Sequence, residues 1–336
     1  FFKFMETMSL HYHHGDATGS PEIKAAVAGV YPKGDVKPEH IMMTLGGTGA
    51  NDIVLMGLLD PRDGDNCVVI KPNYQQHYDI PKGIGVETRI VQLKEEDGYH
   101  LNMDALRAAC DKNTKVIAFS NPNNPIGITM YDRELRDVVE IAKSVDAYIL
   151  SDEVYRGLDE TYMPSIVDYG YDKAISISSL SKMYSLSGLR IGWIICKDEE
   201  MYEVFKTRRS YNTICCSIVD EALASVALRN YGKLWARARS ILIPNKKIVS
   251  EWAAAHPHLS MKGDPKGTTC IIDYDYDIDS EKLAMDMMKD EAKILVVPGK
   301  YFDLEGCFRL GYGGYRDPEA LKASLAALGK YLERFE

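Results

Sequence analysis

Ala174-Ile175-Ser176-Ile177-Ser178 runs straight into Ser179-Leu180-Ser181-Lys182, and eight positions beyond that lysine Arg190 stands inside Ser187-Gly188-Leu189-Arg190-Ile191-Gly192-Trp193. The first run is a short apolar stretch that reads as a buried strand. The lysine amine then emerges at a strand's end beside hydroxyls and a guanidinium. Lysine amines form Schiff bases with carbonyl compounds, and a neighbouring cation or partial desolvation lowers their pKa enough to make them nucleophilic near neutrality. The combination suits an aldehyde that carries a phosphate. Taken alone, Ser-x-Ser-Lys is more often a surface lysine in a serine-rich loop, so the reading depends on its surroundings.

Working outward, short apolar runs alternate with longer helical patterns: Cys67 to Ile70, Arg89 to Leu93, Val116 to Ser120, Ala147 to Ser151, Ala174 to Ser178 and Arg190 to Cys196. The intervening Arg133 to Ser144 carries apolar residues at Leu135, Val138, Val139, Ile141 and Ala142, the spacing of an amphipathic helix. This alternation predicts an α/β fold with a mostly parallel sheet between helices. In such sheets ligands sit beyond the carboxyl ends of the strands. A long helical region near Asp220 to Ala255 leads to short strands at Thr268 to Tyr274, Ile294 to Val297 and Cys307 to Tyr312, and to a last helix from Pro318 to Glu336. The expected organisation is a large α/β domain over residues 16–238 and a smaller α+β domain made of 239–336 with 1–15.

With 336 residues, 46% of them hydrophobic and 26% charged, the composition is that of a folded globular chain. A net charge of -9 argues against a general affinity for nucleic acid or anionic membranes, so any anion must be held locally. There is no apolar run of membrane-spanning length. Seven cysteines without Cys-x-x-Cys spacing disfavour a zinc site or a disulfide scaffold and fit a reducing cytoplasm. The opening Phe1-Phe2-Lys3-Phe4 suggests residues upstream, and no secretory signal pattern is present.

Five further segments bear on the lysine. Leu45-Gly46-Gly47-Thr48-Gly49-Ala50-Asn51 runs into a helical pattern, where glycines and free helix amides favour phosphate; Gly47, Thr48 and Gly49 are the candidate contacts, a capping turn the plainer alternative. Lys71-Pro72-Asn73-Tyr74 ends a strand, and Tyr74 there can stack on a heteroaromatic ring. Asn121-Pro122-Asn123-Asn124-Pro125-Ile126-Gly127 cannot continue its strand, because each proline lacks a donor and restrains its predecessor; Asn124 can donate to a phenolate oxygen. Ser151-Asp152-Glu153-Val154-Tyr155 follows another apolar run, and a carboxylate at Asp152 would keep a pyridine nitrogen protonated, with Glu153 pointing the other way and Tyr155 a second partner for the phenolate. Cys307-Phe308-Arg309-Leu310-Gly311-Tyr312 sets one arginine in an apolar strand, where its planar fork suits a carboxylate, either a substrate's or an internal Asp or Glu. The phosphorylated aldehyde these groups fit is pyridoxal 5'-phosphate.

In order and spacing, the strings resemble the class I/II aminotransferases, the aspartate aminotransferase-like family of fold type I enzymes that use pyridoxal phosphate. The resemblance covers residue 19 to the C-terminus. It implies that Lys182 forms the Schiff base and shuttles a proton, that Ser179, Ser181 and Arg190 bind the phosphate with Gly47, Thr48 and Gly49, and that Asp152 pairs with the ring nitrogen. It further implies that Asn124 and Tyr155 hold the phenolic oxygen, that Tyr74 stacks on the ring, and that Arg309, with Asn124 beside it, takes the carboxylate of an amino acid or 2-oxo acid substrate. Family members are usually homodimers with shared active sites, and a tyrosine commonly reaches the partner's phosphate; here either Tyr12 or His14 stands near that place. The chain looks short at its start, where the family has an arm over the substrate. Arg208 or Arg209 is a candidate for a distal carboxylate, and Tyr301 and Phe302 for the side-chain pocket. A lyase, for example one that eliminates across a carbon–sulfur bond, is the alternative reaction on the same fold.

Overall fold

The computed structural model describes Glu6 and residues 11–13, 15–157, 162–291 and 293–335. Seven strands, β1 (Ile41–Leu45), β2 (Asn66–Lys71), β3 (Glu87–Gln92), β4 (Thr114–Ser120), β5 (Tyr148–Asp152), β6 (Ala174–Ser179) and β7 (Ile191–Ile195), form one sheet in the order β1-β7-β6-β5-β4-β2-β3. All neighbours are parallel except β7, which runs antiparallel to both β6 and β1.

Period-two alternation assigns the strand side chains to two buried layers. Ile70, Ile117, Phe119, Ile149 and Trp193 belong to one, and Cys67, Val69, Val116, Ala118, Leu150, Ile175 and Ile177 to the other. Because both faces are covered, the central strands read as continuous apolar runs in the sequence. The helices that cover them are α1 (Pro21–Ala28), α2 (Gly46–Leu58), α3 (Gln76–Gly83), α4 (Met103–Ala109), α5 (Asp132–Ser144), α6 (Glu199–Asn212) and α7 (Ile218–Arg229).

The long helical region expected near 220–255 is two helices. Asn230 ends α7, and α8 (Tyr231–Ala254) follows at once. Pro244 lies inside α8 instead of ending it; the buried stripe Ala238, Leu242, Asn245, Val249 and Ala253 outweighs the one backbone bond a proline removes. Beyond it stands a second, antiparallel sheet of β8 (Leu259–Met261), β9 (Thr269–Tyr274), β10 (Val297–Pro298) and β11 (Cys307–Gly311), ordered β10-β11-β9-β8, with α9 (Ser280–Lys289) and α10 (Pro318–Leu332). The strand expected over 294–297 shrinks to two residues, since Leu295 points to solvent at 78% exposure.

Candidate active site

The carboxyl ends of the parallel strands converge on one edge of the large sheet, as α/β geometry requires of a ligand site. Asp152 is the last residue of β5 and Ser179 the last of β6. Arg190 immediately precedes β7, whose reversed direction returns it to the same edge. A cleft of about 280 Å³ opens there, and Gly47, Thr48, Tyr74, Asn124, Asp152, Tyr155, Ser179, Ser181, Lys182, Arg190 and Arg309 all line it.

Two glycines make room at the phosphate end. Gly46 has a φ of +70°, and a Cβ on it would lie 2.8 Å from Arg190 Nη2. Beneath it, a Cβ on Gly192 would lie 2.5 Å from the Gly46 carbonyl carbon, a contact with backbone that cannot yield. Gly192→Ala is therefore expected to push Gly46 toward Arg190 and weaken phosphate retention at least ~10-fold, at about 1.4 kcal/mol per decade, checked by titrating cofactor into stripped protein. The helix α2 begins at Gly46, earlier than the expected Asp52, so Gly47 and Thr48 form its first turn, where amides lack intrahelical partners. Gly49 departs from expectation: a Cβ on it would rest against Leu45 and Thr44 at 3.6 and 3.9 Å, and it does not line the cleft.

At the floor, Asp152 is almost fully buried. Its Oδ2 accepts from Asn51 Nδ2 at 3.2 Å and its Oδ1 from the Val154 amide at 3.2 Å. Burial pushes its carboxyl up to about 6, and these two bonds and the Lys182 charge only partly offset that. Asn51 Oδ1 lies 2.9 Å from His77 Nε2, and that nitrogen is 3.8 Å from Asp152 Oδ2. With Asn51 donating through Nδ2, its Oδ1 must accept, which puts the proton on His77 Nε2. Desolvation holds His77 down to about 3. Neither Asn51 nor His77 was anticipated. The available signals were the asparagine that closes the glycine-rich run and a histidine three residues after Tyr74 at the start of α3.

Lys182 Nζ lies 5.8 Å from the Tyr155 ring centroid, and among the described residues no carboxylate is paired with it. Arg309 donates from Nη1 to Asn124 Oδ1 at 3.0 Å, so among the described residues it has no acidic partner. That bond also orients Asn124: with Oδ1 accepting, its Nδ2 is left to donate elsewhere. Glu153 turns away as expected, accepting from Ser165 Oγ and the Ile166 amide at 2.9 Å and lying 3.3 Å from Arg156.

Other expectations are corrected. Arg209 is buried and spends its guanidinium on the carbonyls of Met43, Ala17 and Ile214; Arg208 lies in a separate groove with Met56 and Tyr211. Neither reaches the cleft. Tyr301 hydrogen-bonds Glu281 at 3.1 Å, and Phe302 is buried beneath Arg309, its ring centroid 5.0 Å from the guanidinium. The expectation that Tyr12 or His14 reaches a partner's phosphate is not among these corrections: Tyr12 is 74% exposed and outside this chain's own cleft, and His14 lies outside the described residues.

The charged lining is Asp152 against Lys182, Arg190 and Arg309, a local cationic excess in a chain of net charge -9. Such a pocket fits a dianionic phosphate, a carboxylate and a cationic ring nitrogen over the buried acid. The sequence model of aminotransferase class I and II matches residues 12–328. This chain belongs to that family. As a class I and II aminotransferase it has the fold type I architecture, with pyridoxal phosphate as its cofactor. It is 28% identical to a capreomycidine synthase of Streptomyces vinaceus, covering 97% of this chain and 82% of that one. An aspartate aminotransferase of Streptomyces avermitilis is 27% identical over 90% of this chain and 78% of its own length. Among solved structures, a PLP-dependent aminotransferase from Streptococcus suis 89-1591 is 38% identical, covers 100% of this chain and 87% of its own, and superposes with a TM-score of 0.92.

Proposed function

We propose that this aminotransferase moves an amino group between an L-amino acid and a 2-oxo acid, with Lys182 as the tether for the cofactor and the carrier of the proton. The observation that carries the reading is an amine with no carboxylate partner among the described residues, at the strand ends of a cationic cleft whose one acid is buried. When bound, pyridoxal phosphate supplies an electron sink for negative charge at Cα. Ser179, Ser181, Arg190 and the first-turn amides of Gly47 and Thr48 hold the phosphate. Asp152 keeps the ring nitrogen protonated, and the Asn51–His77 pair fixes the direction of its carboxylate. Asn124 donates its free Nδ2 to the phenolic oxygen together with Tyr155, and Tyr74 lies against the ring. Arg309 takes the α-carboxylate while Asn124 steadies it. Lys182 would hold the cofactor and, with its amine free, would carry the proton taken from the substrate's Cα.

The same reading takes residues 16–238 as the cofactor-binding unit, and 239–336 with 1–15 as the smaller one. The existence of two separate sheets supports it, and α8, continuous through position 238, makes the junction helical. It also takes the protein as a cytoplasmic homodimer. In the single chain the Lys182 and Arg190 side of the cleft is open, and Tyr211, Ile214 and Val226 stand 90%, 51% and 53% exposed on neighbouring segments.

The test is a spectral screen. Purified holoenzyme mixed with each standard amino acid should bleach its yellow cofactor band with some of them, and regain it on addition of a 2-oxo acid. Pyruvate and ammonia formed without an acceptor would favour instead a lyase, a second reading kept open by the relative named capreomycidine synthase. Arg309→Lys should raise KM for the amino acid about 10- to 100-fold, the equivalent of ~1.5–3 kcal/mol for a charge-assisted bond, with the band intact. An unchanged KM would remove Arg309 from the carboxylate site.

A further inference from the structure

The two walls of the cleft are tied together by an ion pair that lines neither. On the large sheet, β2 ends at Lys71, and Pro72-Asn73-Tyr74 carries the chain from there into the cleft. On the other side, the short turn Gly299–Phe302 ends at Asp303, which has a φ of +57°. Lys71 Nζ is hydrogen-bonded to Asp303 Oδ2. The lysine side chain is only 6% exposed and the aspartate 66%, and the amine also sits 3.5 Å from the centroid of the Tyr78 ring. A buried ammonium needs such a partner, since removing one member of the pair leaves an uncompensated charge. A second bond runs beside it, from Gln75 Nε2 to the Tyr301 carbonyl at 3.1 Å.

Each end of this tie is connected through its neighbours to a residue of the cleft. Lys71 lies three residues before Tyr74. Asp303 follows Phe302, the ring that lies under the Arg309 guanidinium at 5.0 Å. The tie therefore joins the strand end that presents Tyr74 to the turn that supports Arg309.

We propose that Lys71 and Asp303 are positioning residues that set the separation of the Tyr74 and Arg309 walls and thereby the affinity for the substrate's α-carboxylate. The proposal rests on the reading of Arg309 as the carboxylate-binding residue. Proton transfer by Lys182 does not pass through the tie, so loss of the pair acts on substrate binding and leaves the chemical step nearly intact.

The test uses holoenzyme and the amino acid that bleaches its cofactor band fastest in the screen of the standard amino acids. Asp303→Asn should raise KM at least five-fold, with kcat within two-fold of the parent and the cofactor band unchanged. Lys71→Met, which keeps the length of the stem without its charge, should do the same and serves if the asparagine variant folds poorly. The double variant Lys71→Met/Asp303→Asn separates positioning from stability. It no longer buries an unpaired amine, so its melting temperature should return toward the parent's while KM stays high. A KM that recovers along with the melting temperature, or that changes less than two-fold in Asp303→Asn, overturns the proposal. If Arg309→Lys raises KM while Asp303→Asn does not, the tie alone fails; if Arg309→Lys leaves KM unchanged, the carboxylate assignment fails and the tie with it.

Discussion

The Lys182→Ala protein is expected to lack the yellow cofactor band and to lose amino transfer by roughly 10⁴-fold or more. Two functions disappear together. In the proposed function the amine is the covalent tether and also the base that moves a proton at Cα. Among the described residues the cleft offers no histidine, and its one carboxylate, Asp152, is committed to Asn51 and the Val154 amide. No group stands ready to substitute. Arg190, Ser179 and the first turn of α2 remain, so the mutant should still retain cofactor, now removable by dialysis. Borohydride followed by mass spectrometry gives a direct reading: the parent gains a fixed mass at position 182 and the mutant does not. A reducible imine that persists in the mutant would place the tether elsewhere.

The second large effect concerns Asp152. Asp152→Asn preserves shape but cannot hold a proton on a ring nitrogen by charge, and kcat should fall roughly 10²- to 10³-fold, the scale on which a buried electrostatic partner contributes. The cofactor-free protein should respond in the opposite sense. Burial raises this carboxyl from its ordinary value of 3.8 to about 6. As pH climbs from about 4 to 6 the unfolded chain loses its proton before the folded one, so folding weakens over that window and the penalty is complete above it. Two pH units correspond to roughly 3 kcal/mol. Removing cofactor and comparing urea unfolding at pH 8 should show Asp152→Asn more stable than the parent by up to that amount, with about half of the gain left at pH 5. Equal stabilities at both pH values would mean that the ionised form is better solvated than its burial implies.

Much of this site is legible in the chain because strands covered on both faces leave long apolar runs, and the residue that ends each run marks the functional edge. Asp152, Ser179 and the turn after Ser120 follow from that rule. β1 is not apparent in the sequence, because Ile41-Met42-Met43-Thr44-Leu45 is short, carries few β-branched side chains and passes directly into the helix that starts at Gly46. Asn51 and His77 escaped for a different reason: their partners lie 101 and 26 residues away, and no local periodicity encodes a triple contact. Arg209 reads as a candidate for a distal carboxylate because an arginine near a helix end looks free to take an anion, whereas here backbone carbonyls from two distant segments satisfy it.

The histidine behind Asp152 has a kinetic corollary. Held near 3, the imidazole of His77 stays neutral at every pH where the enzyme can be assayed. An acidic inflection between pH 6 and 7 in a rate profile, the kind customarily credited to histidine, is therefore not expected from His77.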